Sequence, residues 1–178
     1  DFDNLSSRSS LTYGLRATGK APINSAWTFQ YEAEYARQSD YANSTADYNE
    51  SYYHVAPALS TYGLTTTVGY EVLGGNGTNA FQTPLATLHK FNGWTDRFLD
   101  TPNAGLRDTY GSVSYKFSNS SSFLSDITLN GAYHVYKGDK SGNFGDETNV
   151  SISRSFELPK GQPFKKFNLL AKYADYNA

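Results

Sequence analysis

Apolar and polar residues alternate with a period of two over most of this chain. In "AWTFQYEAEYA", Trp27, Phe29 and Tyr31 occupy every second position, with polar residues such as Gln30 and Glu32 between them. Successive side chains of a β-strand point to opposite faces, so this pattern predicts strands with one apolar and one polar face. The packed core of a soluble sandwich favours Val, Leu and Ile over a ladder of aromatic residues.

The same alternation recurs often enough to predict about eight strands. The further segments are LTYGLRATGK, SYYHVAPALST, LTTTVGYEVL, TYGSVSYKF, DITLNGAYHVY, NVSISRSF and FNLLAKYADY. The third of the eight in chain order is the least regular, because Pro57 cannot donate a ladder hydrogen bond.

Short and long connections alternate along the chain. GKAPINS, STYG, SNSSSFLS and LPKGQPFKK are short or moderate, whereas RQSDYANSTADYNE, residues 81–106 and KGDKSGNFGDE are longer. Antiparallel neighbours place alternate connections at opposite ends of a sheet. The short connections therefore lie at one end and the long connections at the other. Outer-membrane barrels have this asymmetry.

Composition supports a membrane barrel rather than disorder or a helical membrane protein. Aromatic residues make up 16% of the 178 residues, the formal net charge is −2, and cysteine is absent. Disordered chains lack such aromatic content. There is neither a run of about 18 apolar residues for a transmembrane helix nor a basic stripe for nucleic acid. The length suits one domain, residues 1–178.

Together these features predict an all-β, antiparallel, up-and-down transmembrane barrel with about eight strands. Apolar faces would meet lipid, and polar faces would line water. We expect twelve side chains to point to lipid: Leu11, Leu15, Phe29, Tyr31, Val68, Tyr70, Val113, Tyr115, Leu129, Tyr133, Ile152 and Leu169. The alternative is a soluble lectin-like sandwich, which would stay monodisperse without detergent.

Residues 74–106 form a long segment that we expect to be an extracellular or pore-folded loop, partly helical. Thr83 and Pro84 would start a short helix and Gly93 would end it. The loop is too apolar to extend freely into solvent and should fold inward or cap the barrel mouth. Its apolar residues are Phe81, Leu85, Leu88, Phe91, Trp94, Phe98 and Leu99.

The segment YEVLGGNGTNAFQTPLATLHKFNGWTDRFLDTPNAGLRDTYGSVSYKF resembles the alginate-export-like family of bacterial outer-membrane porins. YGLRATGK, YEAEYARQSDY and LLAKYADYNA also resemble segments from the C-terminal half of such proteins. The resemblance implies a Gram-negative outer membrane, a barrel with more strands, and transport. Against that family, the chain is expected to be an interior or C-terminal portion: strands are missing before it, and KYADYNA stops at a loop rather than at a final strand.

Candidate functional residues fall on the polar strand faces and in the long loop. The pore-lining candidates are Arg16, Gln30, Glu32, Glu34, Glu71, Lys116, His134 and Lys172. The solute-contact candidates in the loop are His89, Lys90, Phe91, Trp94, Asp96 and Arg97. Because charges of both signs occur, the lumen suits polar solutes better than a strongly anion-selective pore would. The alternative is that these charges only pair across strands.

Neither a metal site nor an enzyme is expected. His54, His89 and His134 have no partner at the spacing of a zinc motif, and no G-x-S-x-G elbow occurs. Asp139 to Glu147 lacks the order of a calcium loop and suggests a solvated loop or divalent bridging to lipopolysaccharide. No cofactor and no nucleic-acid partner are expected.

The function predicted from the sequence is therefore passive outer-membrane transport of small polar solutes, such as oligosaccharides or organic acids. Its partners would be that solute, outer-membrane lipid and lipopolysaccharide. The alternative is a non-conducting structural or adhesive surface protein.

Overall fold

A computed structural model describes residues 9–84, 92–118, 124–158, 161 and 163–178. Nine β-strands are present in the described residues. They are β1 Ser10–Pro22, β2 Thr28–Asp40, β3 Asn49–Val55, β4 Ala58–Thr61, β5 Leu64–Leu73, β6 Leu106–Lys116, β7 Ile127–Lys137, β8 Asn143–Glu157 and β9 Lys166–Asn177. No helix in this part of the chain is long and apolar enough to cross a membrane.

All nine strands belong to one antiparallel sheet in which neighbours follow the chain, in the order β1-β2-β3-β5-β6-β7-β8-β9, with β4 pairing β2 and β5. The sheet confirms the all-β, up-and-down prediction. β1 and β9 lie at its two edges. The alternating pattern accounts for this register. If one strand slipped by one residue against its neighbour, its apolar and polar faces would be exchanged.

The count of about eight strands differs from nine because one predicted strand is interrupted at Pro57. β3 and β4 keep the same register against β2: Ala33 pairs with Val55, and Gln30 pairs with Ala58. The Ala56 N–H donates to the carbonyl of Glu32 (2.8 Å), so pairing continues up to the proline. Pro57 has no N–H to contribute, and β3 and β4 together form one interrupted strand.

The connections segregate between the two ends of the sheet. Among the described residues, 23–27, 62–63, 117–118, 124–126, 158, 161 and 163–165 lie at one end, and 41–48, 74–84, 92–105 and 138–142 lie at the other. The last of these is shorter than KGDKSGNFGDE suggested, because β8 begins at Asn143 rather than near Asn149. β9 likewise continues to Asn177, so residues 172–177 of KYADYNA are strand and not loop.

The apolar strand face is open. Of the twelve side chains expected to face lipid, eleven are exposed, from Tyr115 at 38% to Leu15 at 83%. The twelfth, Phe29, is half-buried and stacks on Tyr31 at 6.2 Å between ring centroids. These side chains therefore do not form an enclosed core.

The packed core lies on the opposite, otherwise polar face, next to the long-loop end. Its buried members are Ala36, Tyr52, Leu73, Phe81, Leu106 and Tyr136. Leu73 pairs with Leu106 and with Tyr52 in register, so neighbouring strands bring these side chains together. Phe81 of the long loop packs on Tyr52 with 5.5 Å between ring centroids. The loop thus covers this part of the sheet.

The described parts of the long loop, residues 74–84 and 92–105, form turns, bends and an isolated bridge between Gly75 and Ala80 rather than a helix. The centre of the predicted helix, including Leu85, Leu88 and Phe91, lies outside the described residues. Phe81 is buried and Phe98 is half-buried, as expected. Leu99 is not: it is 56% exposed, because Phe98 takes the inward position in that turn.

Candidate functional site

The strand register places all eight pore-lining candidates on one face. Arg16 pairs with Glu34, which pairs with His54, and His54 pairs with Glu71. The remaining candidates lie at positions of the same parity in β2, β6, β7 and β9: Gln30, Glu32, Lys116, His134 and Lys172. Paired residues in an antiparallel sheet share a face, so one polar surface runs across the whole sheet.

Arg16 sits between two carboxylates at the β1–β2 end of this surface. Its Nη2 is 2.7 Å from Glu32 Oε1, and its Nε is 3.6 Å from Glu34 Oε2. About half of the Arg16 side chain and one third of each carboxylate side chain is exposed. These three groups are therefore accessible charges, and exposed pairs of this kind add little to stability.

Four rings form a row across β3, β6 and β7 on the same surface. They are His54, Tyr110, His134 and Tyr136, with 6.3, 5.1 and 5.8 Å between successive centroids and near-parallel planes. His54 Nε2 lies 3.1 Å from the Tyr110 hydroxyl, and His134 Nδ1 lies 2.8 Å from Asp108 Oδ2. Each imidazole is therefore held by a contact to a fixed partner. These contacts orient the rings, and they do not leave the two histidines available as a pair of metal ligands.

Residues 92–98, which we call the strap, cross the polar face of the sheet. At the start of the strap, the Asn92 side-chain amide donates to Glu71 Oε2 (3.1 Å), and Tyr52 donates its hydroxyl to Glu71 Oε1 (2.6 Å). Two residues on, the Trp94 N–H donates to Glu147 Oε1, and so does the Thr95 N–H (3.1 Å). The strap is therefore tied to both β5 and β8.

Close approach of the strap depends on Gly93. Its φ is 84°, in the left-handed region that glycine adopts without strain. A Cβ at this position would overlap both the Tyr136 hydroxyl and the Glu147 carboxyl group. The helix that Gly93 is predicted to end lies outside the described residues; what requires glycine here is close contact with β7 and β8.

Aromatic contacts continue the attachment toward β9. Phe98 meets the edge of Tyr136 at 4.8 Å and lies 6.2 Å from Tyr176. Lys172 Nζ lies 4.7 Å from the centroid of Trp94, and the Arg97 guanidinium lies 5.7 Å from that of Tyr176. Cation–π contacts at these distances are favourable. The strap thus reaches from the middle of the sheet to its edge strand.

A second attachment involves the start of the long loop. Buried Gln38 of β2 donates to the Gln82 carbonyl (2.9 Å) and accepts from the Gln82 N–H (2.8 Å). Gln82 makes the same reciprocal pair with the backbone of Thr101. Tyr48 also donates to Gln38, and burial raises the pKa of its hydroxyl, which favours the donor form. Both ends of the loop are thereby tied to β2.

The candidates of the long loop divide into three groups. Trp94 is half-buried and has one ring face occupied by Lys172. Asp96 is half-buried with φ 55°, and Arg97 is exposed beside Tyr176. His89, Lys90 and Phe91 lie outside the described residues.

A cavity of about 390 Å³ remains between the strap and the sheet. Arg16, Glu32 and His54 line one side, Trp94 lines another, and Ser114 and Asn130 lie toward the short-connection end. Charged groups, an aromatic ring and neutral hydroxyl and amide groups therefore face one small volume. Such a wall suits a small polar molecule.

Sequence reasoning missed the residues that hold this arrangement. The sequence predicts a solvated loop over residues 139–147, yet Glu147 is fully buried within β8. Asp108 and Tyr110 are not among the sequence-predicted site residues, although they pair with Glu71 and Gly69 on the same face. The detectable signal was a break in alternation: Tyr52–Tyr53, Val72–Leu73 and Val135–Tyr136 each put two large side chains in succession, so one must point to the polar face.

No protein-family model matches the chain, and no curated protein matches it. Membership of the alginate-export-like family therefore gains no support from these comparisons.

Solved structures do match the fold. OccK10 (OpdN) of Pseudomonas aeruginosa aligns with a TM-score of 0.67 and 15% identity, over 94% of this chain and 48% of that protein. OccAB3 and OccAB2 of Acinetobacter baumannii align with TM-scores of 0.67 and 0.68, at 15% and 16% identity, over 95% of this chain and 43% and 42% of theirs. These neighbours are outer-membrane porins of the Occ/OprD type.

The similarity establishes that the sheet has the fold of a porin barrel wall. The chain spans less than half the length of these three neighbours.

Proposed function

We propose that the chain forms part of the wall of an outer-membrane channel through which small polar solutes pass passively. The observation that carries this proposal is the strap: a loop segment lies across the polar face of a sheet whose other face is apolar and exposed. A loop held against the inner wall narrows a lumen, whereas a loop that only sealed a rim would not need anchors on both β5 and β8. The fold shared with the Occ porins supports the same function.

The membrane partner follows from the exposed face. Leu, Val, Ile and Tyr side chains are exposed on this face along β1, β5, β7, β8 and β9, as the lipid-facing band of an outer-membrane barrel requires. We propose that this face contacts outer-membrane lipid and that the end with the long connections contacts lipopolysaccharide. Residues 1–178 would then be one portion of a barrel, with residues 74–106 as its pore-folded loop.

The side chains on the polar face of the sheet indicate the class of solute. Accessible Arg16, Glu32 and Glu34 present both signs of charge, and the hydroxyl and amide side chains toward the other end add neutral partners. We propose polar solutes of the size of small oligosaccharides or organic acids. Trp94, Asp96 and Arg97 would contact them from the strap, with the Trp94 ring as the aromatic group for a sugar.

Planar-bilayer recording from the full-length protein tests this function. Steady channels are expected, and deletion of residues 83–100 should raise single-channel conductance and weaken block by solutes. Absence of steady channels would overturn the proposal and favour the non-conducting structural or adhesive alternative. Channels whose conductance is unchanged by the deletion would leave the strap with a sealing role only.

A further inference from the structure

We propose that Glu147 is the positioning residue of the strap: its buried carboxylate fixes Trp94 over the lumen, so this single side chain sets how far the strap narrows the channel. The proposal deepens the proposed function and rests on it for the effect on conductance. The attachment of the strap itself can be tested without a channel.

Glu147 accepts three hydrogen bonds from two consecutive strap residues. Oε1 accepts from the backbone N–H groups of Trp94 and Thr95, and Oε2 accepts from the Thr95 hydroxyl at 2.5 Å. Glu147 therefore determines both the position and the direction of the strap backbone at this point.

The surroundings of Glu147 leave the strap as its main source of donors. Its register partners are His134 on β7 and Tyr176 on β9, and Asp108 on β6 is close enough to interact with it electrostatically. The Tyr136 hydroxyl on β7 lies near enough to donate to it as well, so the sheet offers one donor against three from the strap. His134 is already bonded to Asp108, and Tyr176 donates to the Phe144 carbonyl. Within the described residues, no lysine or arginine forms an ion pair with Glu147.

The second anchor is of a different kind. Glu71 receives Tyr52 from the sheet and only the side chain of Asn92 from the strap, so it fixes no strap backbone group. Lys172 and the rings around Phe98 hold the strap through contacts that tolerate sliding. Of the strap contacts to described residues given above, those to Glu147 are the ones that fix strap backbone groups, so loss of Glu147 should free Trp94 even when the other contacts remain.

Trp94 itself provides the reporter. The chain has two tryptophans, and the other, Trp27, lies exposed on the apolar side near the opposite end. In a Trp27→Phe background, acrylamide quenching of the remaining fluorescence from this chain measures how often Trp94 leaves the sheet. Glu147→Ala should raise that fraction about tenfold or more, the change expected when about 1.4 kcal/mol of attachment is lost.

Two further variants separate positioning from folding. Glu147→Gln keeps the shape and one acceptor oxygen, so its quenching should fall between those of the wild type and Glu147→Ala. Thr95→Val removes only the hydroxyl donor at an exposed position and should raise quenching even if Glu147→Ala does not fold. Glu157→Gln, on the same strand but paired with Lys166 away from the strap, is the control and should change nothing.

Conductance completes the test. Glu147→Ala channels should conduct more, with greater open-state noise, and Glu147→Gln should partly restore the wild-type level. Unchanged quenching in both folded Glu147→Ala and Thr95→Val would overturn the positioning role. Lack of channels in the wild type would instead overturn the proposed function, while the quenching series would still decide whether Glu147 holds the strap.

Discussion

The ring of Tyr110 on β6 lies directly over Gly69, its register partner on β5, and a Cβ at residue 69 would overlap that ring. This is the position from which the Tyr110 hydroxyl reaches His54. The row of rings on the polar face therefore depends on the absence of a side chain at one strand position.

Gly69→Ala should displace Tyr110 and destabilise the protein by about 1–3 kcal/mol, the usual cost of overpacking. Gly111→Ala is the matched control, because Gly111 is also in a strand interior but has no neighbouring atom within 4 Å of the position that a Cβ would take. Its effect should stay within about 0.5 kcal/mol. The measurement is urea unfolding in detergent micelles; equal midpoints for the two variants would contradict the close contact.

Tyr52→Phe should destabilise the protein by about 1–3 kcal/mol, because Glu71 is buried and loses its 2.6 Å donor. The neighbouring Tyr53→Phe removes a hydroxyl from the exposed apolar face and should have little effect. The same unfolding assay compares the pair. A larger effect at Tyr53 would mean that the faces are assigned the wrong way round.

Val113→Arg and Ser114→Arg place one charge on opposite faces of β6. Val113 is exposed on the apolar face, whereas Ser114 lines the cavity below the strap. In lipid bilayers, an arginine on the lipid face costs about 2–4 kcal/mol at the midplane. Folding yield into liposomes should therefore fall for Val113→Arg and remain high for Ser114→Arg. Similar yields would argue against a lipid-facing sheet.

Arg16→Ala should shift the channel toward cations, since it removes a positive charge and frees the carboxylates of Glu32 and Glu34. Thr18→Ala, on the same strand and face, is the uncharged control. The reversal potential under a potassium chloride gradient measures the change. Screening by salt should reduce it, because these groups are partly exposed; an unchanged reversal potential would place Arg16 outside the ion path.

The sequence by itself determined the sheet. A period of two specifies strands and faces locally, without any tertiary contact, so the bounds of β5 and the shared face of Arg16, Glu71 and Lys172 could be predicted. Pro57 marked the interruption between β3 and β4 for an equally local reason: it lacks an N–H.

Only the tertiary structure decided what lies on the polar face. Glu147 looks like one more acid in a Gly- and Asp-rich stretch until strand pairing sets it beside His134 and beneath Thr95, which is 52 residues away in sequence. Leu73, Leu106 and Tyr136 form a core there because separate strands meet under the long loop, not because of any local pattern. A period of two determines which face of the sheet each side chain of one strand points to. Whether that side chain is buried depends on which distant segment covers the sheet.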